Sequence, residues 1–294
     1  MIGSYRVPLP GGRALELGPR TLVMGILNIT PDSFSGDGLI QGEDWVERAV
    51  QQGLTQVADG AHILDVGGES TRPGAMPIPV AEEIRRVVPV IQGLARSTDV
   101  PISIDTSKAE VARAALEAGA AIINDVWAFR LDPGLASLAA ERGCPVILMH
   151  NRSRPQDARF EQRLGGRYVG ARYDDLLEDI ARELQELVDA AIAAGVNRQQ
   201  IVIDPGIGFG KTVEQNLTLI RRFDRFATLG HPVLCGPSRK SFIGYTLDLP
   251  PEERIEGTAA AVAIAIARGA DIVRVHDVKP IARVARMCDA ILRR

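Results

Sequence analysis

Eight short apolar runs punctuate this chain: Leu22–Leu27, Ile63–Val66, Ile102–Ile104, Ala121–Ile123, Val146–Met149, Ile201–Ile203, Val233–Cys235 and Ile272–Val275. Each has the length of a buried strand. Between and after them lie stretches whose apolar positions recur at helical spacing: Trp45–Ala58, Ala81–Leu94, Ala109–Ala118, Leu135–Ala140, Tyr173–Ala194, Val213–Phe226, Glu256–Arg268 and Ile281–Leu292. Strand then helix, repeated eight times, predicts parallel strands with crossover connections. A closed barrel and an open doubly wound sheet share that pattern. Eight units in 294 residues favour the (β/α)8 TIM barrel, an α/β fold. Ahead of the first strand, Tyr5–Arg20 carries Pro-Gly-Gly between β-prone flanks and predicts a β-hairpin. The segment Asn151–Arg172 is the longest irregular insertion, and loops of that length are often lids. No linker divides the chain, so residues 1–294 are expected to form one domain.

Composition narrows the class. The chain is 46% hydrophobic and 24% charged with a formal charge of −3, which suggests neither a nucleic-acid nor a membrane partner. Arginine is dense between Arg152 and Arg172, but interspersed acids make that a solvated loop. Cys144, Cys235 and Cys288 are odd in number and widely spaced, as in a reducing compartment. Residues Met1–Pro10 lack the apolar stretch of a secretory signal, and the longest apolar run, Ala259–Ala267, is too short to span a bilayer. A cytoplasmic enzyme or binding protein is expected.

The polar residues at the ends of the apolar runs point to chemistry. The strand ends carry Asn28, Asp65, Asp105, Asn124, His150, Asp204, the Ser238-Arg239-Lys240 group, and Arg274 with His276. In a barrel these ends share one rim, where active sites are built. Each alone has an ordinary explanation. Asp65 and Asp204 suit helix caps, Asn28 and Asn124 suit turns, and His150 suits a satisfied core position. A purely structural barrel has no need of a polar group at every end of one rim. Arg274 and His276 are two apart and share a strand face, against the alternation of Asp271 and Ile272. A cation beside an imidazole suits a phosphate or diphosphate, and pairing of Arg274 with Asp277 is the alternative. The run Pro205-Gly206-Ile207-Gly208-Phe209-Gly210-Lys211-Thr212 mimics a nucleotide phosphate loop, but Pro205 stands where its first glycine belongs. Its glycines are expected to let backbone approach a flat ligand behind Asp204.

Several segments, in order, resemble the dihydropteroate synthase family along nearly the whole chain. They are Met24-Gly25-Ile26-Leu27-Asn28-Ile29-Thr30-Pro31-Asp32-Ser33-Phe34-Ser35, Asp65-Val66-Gly67-Gly68-Glu69-Ser70-Thr71-Arg72-Pro73-Gly74, Ser103-Ile104-Asp105-Thr106, Ile123-Asn124-Asp125 and Leu148-Met149-His150. Asp204 to Lys211, Ser238-Arg239-Lys240-Ser241-Phe242-Ile243-Gly244 and Arg274-Val275-His276-Asp277-Val278 complete the series. The resemblance implies a transferase that joins 6-hydroxymethyl-7,8-dihydropterin diphosphate to p-aminobenzoate, giving dihydropteroate and diphosphate. It implies Mg2+ bound with the diphosphate, and a homodimer, for which the last helices are candidate surfaces. Asp105, Asn124, Asp204 and Lys240 would hold the pterin, with Met149 and Phe209 beside it. Asn28, as metal ligand, with Thr71, Arg72, Arg274 and His276 would hold diphosphate and metal. Phe34, Arg72, Pro73, Lys240 and Ser241 would frame the arylamine. Lys240, Asp105, Asp204 and Arg274 are the expected catalytic set.

The implied chemistry suits these groups. A carboxylate accepts both adjacent N–H donors of a pterin edge, which fits Asp204, and an amide such as Asn124 donates and accepts beside it. No protein nucleophile is needed, and none of the usual nucleophile motifs is present. Two features depart from the family. The first loop reads Ser35-Gly36-Asp37-Gly38, with the Asp one residue later than usual, and an arginine-rich insertion comes after His150. A corrinoid-linked methyltetrahydrofolate methyltransferase shares the barrel but has no diphosphate to bind, so Arg72, Ser238-Arg239-Lys240 and Arg274-x-His276 count against it. A catalytically silent pterin-binding paralogue has only the displaced Asp37 in its favour. A barrel acting on another phosphate ester ranks third.

Overall fold

The computed structural model describes residues 4–30, 44–70, 76–169 and 172–293. The elements run β1 (Tyr5–Pro8), β2 (Ala14–Leu17), β3 (Leu22–Asn28), α1 (Trp45–Ala58), β4 (Ile63–Gly67), α2 (Val80–Ser97), β5 (Ile102–Asp105), α3 (Ala109–Ala118), β6 (Ile122–Asp125), α4 (Gly134–Arg142) and β7 (Val146–Met149). They continue β8 (Ala158–Glu161), β9 (Gly165–Tyr168), α5 (Leu176–Ala193), β10 (Ile201–Asp204), α6 (Val213–Arg221), α7 (Asp224–Ala227), β11 (Leu234–Cys235), α8 (Ser241–Leu247), α9 (Ile255–Ala267), β12 (Ile272–Val275) and α10 (Val278–Leu292).

Eight of the strands form one parallel sheet in the order β10-β7-β6-β5-β4-β3-β12-β11. Its ends meet at a parallel bridge between Ile203 and Val233, where the Ile203 N–H donates to the Pro232 carbonyl at 3.0 Å. The sheet is a barrel rather than an open sheet, as the eightfold repeat predicts.

Period two then sorts every barrel side chain. Val23, Leu64, Ile123, Val146, Leu148, Ile201, Ile203 and Val273 face outward into the core shared with the helices. Met24, Ile63, Ile122, Ile147, Val202, Leu234 and Ile272 face inward. The β1–β2 hairpin closes the lower end of that interior with Val7, Leu9, Leu15 and Leu17. One end of the barrel is thus filled with hydrocarbon, and polar inward positions are confined to the other, the C-terminal mouth. Ile272 does not alternate against Arg274 and His276. It shares their face, one layer deeper.

Two further expectations are corrected, and one element is new. The helix expected over Val213–Phe226 breaks at Arg222 and Phe223, where the turn buries Phe223 and Phe226 edge to face at 5.9 Å. The insertion Asn151–Arg172 is not irregular, since β8 and β9 pair as an antiparallel hairpin within it. Helix α8 was not foreseen, because its seven residues are too few to show a helical period.

Candidate active site

The inward parity that buries Ile63, Ile122, Val202 and Ile272 also selects Asp65, Asn124, Asp204 and Arg274, two residues further along the same strands. Asp65 and Asn124 are buried, at 0% and 4% exposure, and Asp204 is at 6%. Asp105 ends β5 beside Asn124, and Met149 ends β7 beside Asp204. Asn28 ends β3 with the parity of Met24 and Ile26. Asp125, one residue on from Asn124, has the outward parity, and its carboxylate accepts from the Trp127 and Phe129 N–H groups at 2.9 and 2.6 Å.

Arg274 spans the acidic half. Its Nε donates to Asp65 Oδ2 at 2.6 Å and its Nη2 to Asp105 Oδ2 at 2.7 Å. The Asn124 amide donates to the same Asp65 oxygen at 3.1 Å. Among the described side chains, Asp65 Oδ1 is a buried oxygen with no partner. The two bonds use two of the five guanidinium donors. Burial raises the Asp105 carboxyl, the Arg274 charge opposes that, and the neighbouring Asp65 adds to the rise. Arg274 itself stays firmly protonated, since its two carboxylates outweigh its desolvation. An arginine does not give up its proton in a protein, so sharing one cation between the buried Asp65 and the partly buried Asp105 falls on Asp105. The Asp277 alternative for Arg274 is not what the structure holds. Asp277 pairs instead with Arg239, at 2.8 and 2.5 Å.

The Ser238-Arg239-Lys240 turn divides its side chains between rim and interior. Ser238 Oγ accepts from the His276 N–H at 3.1 Å and lies 3.0 Å from His276 Nδ1. Arg239 takes the left-handed backbone conformation (φ 54°), which an L-residue adopts only at a cost. That twist sends Arg239 to the rim and Lys240 inward. Lys240 Nζ donates to the Ile207 carbonyl and sits 4.5 Å from the centre of the Phe209 ring. Burial lowers the Lys240 ammonium to about 8, against the pull of Asp204. Burial likewise raises Asp204, which Lys240 opposes. Ser241 opens α8 directly after Lys240.

Two glycines of the Asp204–Lys211 loop are required by the protein's own packing. A side chain at Gly206 (φ 72°) would run into the His150 carbonyl, and a Cβ at Gly208 (φ 83°) would lie 2.6 Å from Lys240 Cδ. They admit the protein's own backbone and lysine. The loop is fixed from behind by Lys211, whose Nζ donates to the Gly206 and Phe209 carbonyls at 2.9 and 3.0 Å. Burial lowers Lys211 to about 7. His150 belongs to this support. Burial, with Lys211 adding to it, lowers its imidazole to about 4, so Nδ1 accepts from Lys211 Nζ at 3.1 Å and Nε2 donates to Glu183 at 3.0 Å.

The structure therefore gathers Asp105, Asn124, Met149, Asp204, Phe209, Lys240, Ser241, Arg274, His276 and Asn28 around one barrel mouth. Phe34, Thr71, Arg72, Pro73 and the shifted Asp37 lie outside the described residues. Sequence reasoning gave Asp65 no role, although its parity with Ile63 was there to be read, and it missed the Ile207 carbonyl, which no residue-type pattern reveals.

Fold and site define a (β/α)8-barrel enzyme that acts at its C-terminal mouth. Residues 24–276 match the pterin binding enzyme family. The chain is similar to the dihydropteroate synthase of Bacillus subtilis, 50% identical over 95% of this chain and 91% of the relative. It is also similar to that of Synechocystis, 49% identical over 97% and 96%. Among solved structures, Xanthomonas albilineans dihydropteroate synthase with 4-aminobenzoic acid matches at a TM-score of 0.86, 44% identical over 98% of both chains. The chain belongs to the dihydropteroate synthase family, whose members are transferases. Among the described residues, no helix is long and apolar enough to cross a membrane.

Proposed function

We infer that this chain condenses 6-hydroxymethyl-7,8-dihydropterin diphosphate with p-aminobenzoate, releasing diphosphate and forming 7,8-dihydropteroate. The carrying observation is that Asp204, Asn124 and Lys240 share one inner rim with the acids that Arg274 spans, Asn124 donating to one of them. A pterin edge presents two adjacent N–H donors, which one carboxylate accepts together. Asp204 takes that part, Asn124 reads the neighbouring edge, and Lys240 donates to the ring carbonyl. Met149 and Phe209 flank the ring, and Asp105 completes the grip.

Arg274, His276, Thr71 and Arg72 receive the diphosphate. Positive charge there stabilises the leaving group as its carbon–oxygen bond breaks. The cationic methylene left behind is stabilised by the electron-rich pterin, and the arylamine nitrogen attacks it and then loses a proton. Phe34, Arg72, Pro73, Lys240 and Ser241 frame the arylamine. Catalysis on this reading is positioning and electrostatics.

The residues present fit Mg2+ held jointly with substrate. Asn28 offers one neutral oxygen at a strand end, and the described residues contain no cluster of three His, Cys, Asp or Glu that would make a metal cage. Mg2+ commonly takes few protein oxygens and completes its shell with phosphate and water. Bound there, it would supply charge neutralisation of the diphosphate. We further propose one catalytic domain over residues 1–294, a cytoplasmic location and a homodimer.

Purified protein incubated with the pterin diphosphate, Mg2+ and labelled p-aminobenzoate should yield labelled dihydropteroate. No product at saturating substrate would overturn the reading.

A further inference from the structure

Arg254 lies beyond the short segment after α8 and is almost wholly buried, at 2% exposure. Its guanidinium is bonded to peptide groups. Four bonds go to carbonyl oxygens of three separate segments: Nη1 to Arg239 at 2.9 Å, Nη2 to Leu164 at 3.0 Å, and Nε and Nη2 to Leu249 at 3.0 and 2.9 Å. Arg239 precedes α8, Leu249 comes after it, and Leu164 lies in the turn of the β8–β9 hairpin. A single planar fork thus ties both ends of α8 to the insertion packed over it. Burial lowers its pKa, against the pull of Glu252, the cost of a desolvated cation compensated mainly by peptide dipoles.

The Arg239 carbonyl is the telling partner. Arg239 is the strained left-handed residue that turns Lys240 inward. Its N–H is held by Thr258 Oγ1 at 3.1 Å, its side chain by Asp277, and its carbonyl, in the peptide shared with Lys240, by Arg254. Strain of this kind persists only where surrounding contacts over-determine it. We propose that Arg254 is a positioning residue of the reaction: by fixing the Arg239–Lys240 peptide beneath the hairpin, it sets where the Lys240 ammonium meets the pterin. This rests on the functional reading that places Lys240 on the pterin.

Gly244 of α8 provides a second handle. A Cβ there would collide with the Arg254 guanidinium itself. Gly244→Ala therefore displaces the fork while leaving Arg254 and Lys240 chemically intact. Arg254→Lys keeps the charge but, with a compact ammonium, cannot bridge three segments.

The test is calorimetric titration of the full-length protein with 6-hydroxymethylpterin, which lacks the diphosphate and does not react. It uses R254K, G244A, K240M and the two double variants, with thermal unfolding alongside to confirm folding. R254K and G244A should each weaken pterin binding about tenfold, and neither should weaken it further in the K240M background, since coupled residues are non-additive. Losses that add independently to that of K240M would make Arg254 a structural residue only and overturn the proposal. So would undiminished binding by either variant, and if R254K fails to fold, G244A decides. Undiminished binding by K240M itself would instead remove Lys240 from the pterin, and the underlying reading with it.

Discussion

Arg274, on the last barrel strand, donates through Nε to Asp65, on the second, at 2.6 Å. The bond passes over β3, which lies between those strands in the sheet. The guanidinium therefore lies across the floor of the mouth rather than standing at its edge, and its second carboxylate, Asp105, draws a third strand into the same cluster.

That arrangement makes Arg274→Ala costly twice over. It leaves the buried Asp65 and the partly buried Asp105 without their cation, a defect worth about 3–5 kcal/mol. Denaturant unfolding should show a loss of that order, and diphosphate should no longer inhibit the enzyme as it does the parent. Undiminished inhibition would separate Arg274 from the phosphate subsite.

Asp204→Asn changes the other half. An amide cannot accept two N–H bonds on one face, and pterin binding should weaken by at least about tenfold, the scale of one charge-assisted hydrogen bond. Folding should be little affected, because Oδ1 can still accept from the Gly206 N–H, now at 2.7 Å. An unchanged pterin dissociation constant would take Asp204 out of the site.

Lys240 gives the reaction an alkaline limb. Burial lowers its ammonium to about 8. As pH rises through that value the ammonium loses its charge, and on the proposed reading the pterin carbonyl then faces only a neutral, weaker donor. The rate constant kcat/KM should fall above about pH 8. Lys240→Arg, whatever its residual rate, should lose this limb, because arginine remains charged. A limb that persists in this variant would belong to another group, of which Lys211 is the nearest candidate.

His150 makes the fold acid-sensitive. Its imidazole is held neutral, at about 4 against an ordinary value of 6.5. Between those values the unfolded chain binds a proton that the folded chain refuses, so stability declines as pH falls from 6.5 towards 4, by roughly 3 kcal/mol at most. Glu183, lowered to about 2, adds a loss in the same sense at lower pH. In His150→Asn, urea midpoints at pH 7 and pH 4.5 should lie closer together than in the parent. An identical spread would exclude the histidine as the source.

Gly208→Ala tests the packing of the loop. Its Cβ would lie 2.6 Å from Lys240 Cδ at a backbone angle that L-residues rarely adopt. Lys240 must move or the loop must shift, and kcat/KM should drop at least about tenfold, whereas a comparable glycine in open space, Gly143→Ala, should leave it near the parent value. Equal effects of the two would mean that backbone strain alone is responsible.

Range decides how much of the fold and the site was legible in the sequence. The strands, their parallel order and the inward set Asp65, Asn124, Asp204 and Arg274 were readable from apolar runs and period two, because side-chain direction on a strand depends only on near neighbours. The amphipathic helices were readable for the same reason. Tertiary structure alone decided that Arg274 meets Asp65, 209 positions away, that Arg239 faces the rim while Lys240 faces inward, and that the glycines after Asp204 make room for His150 and Lys240. Each of those outcomes is a contact between segments distant in the chain, set by barrel closure and by what else must fit at the mouth. Local spacing carries no information about such contacts, whereas the residue types needed to make them were present all along.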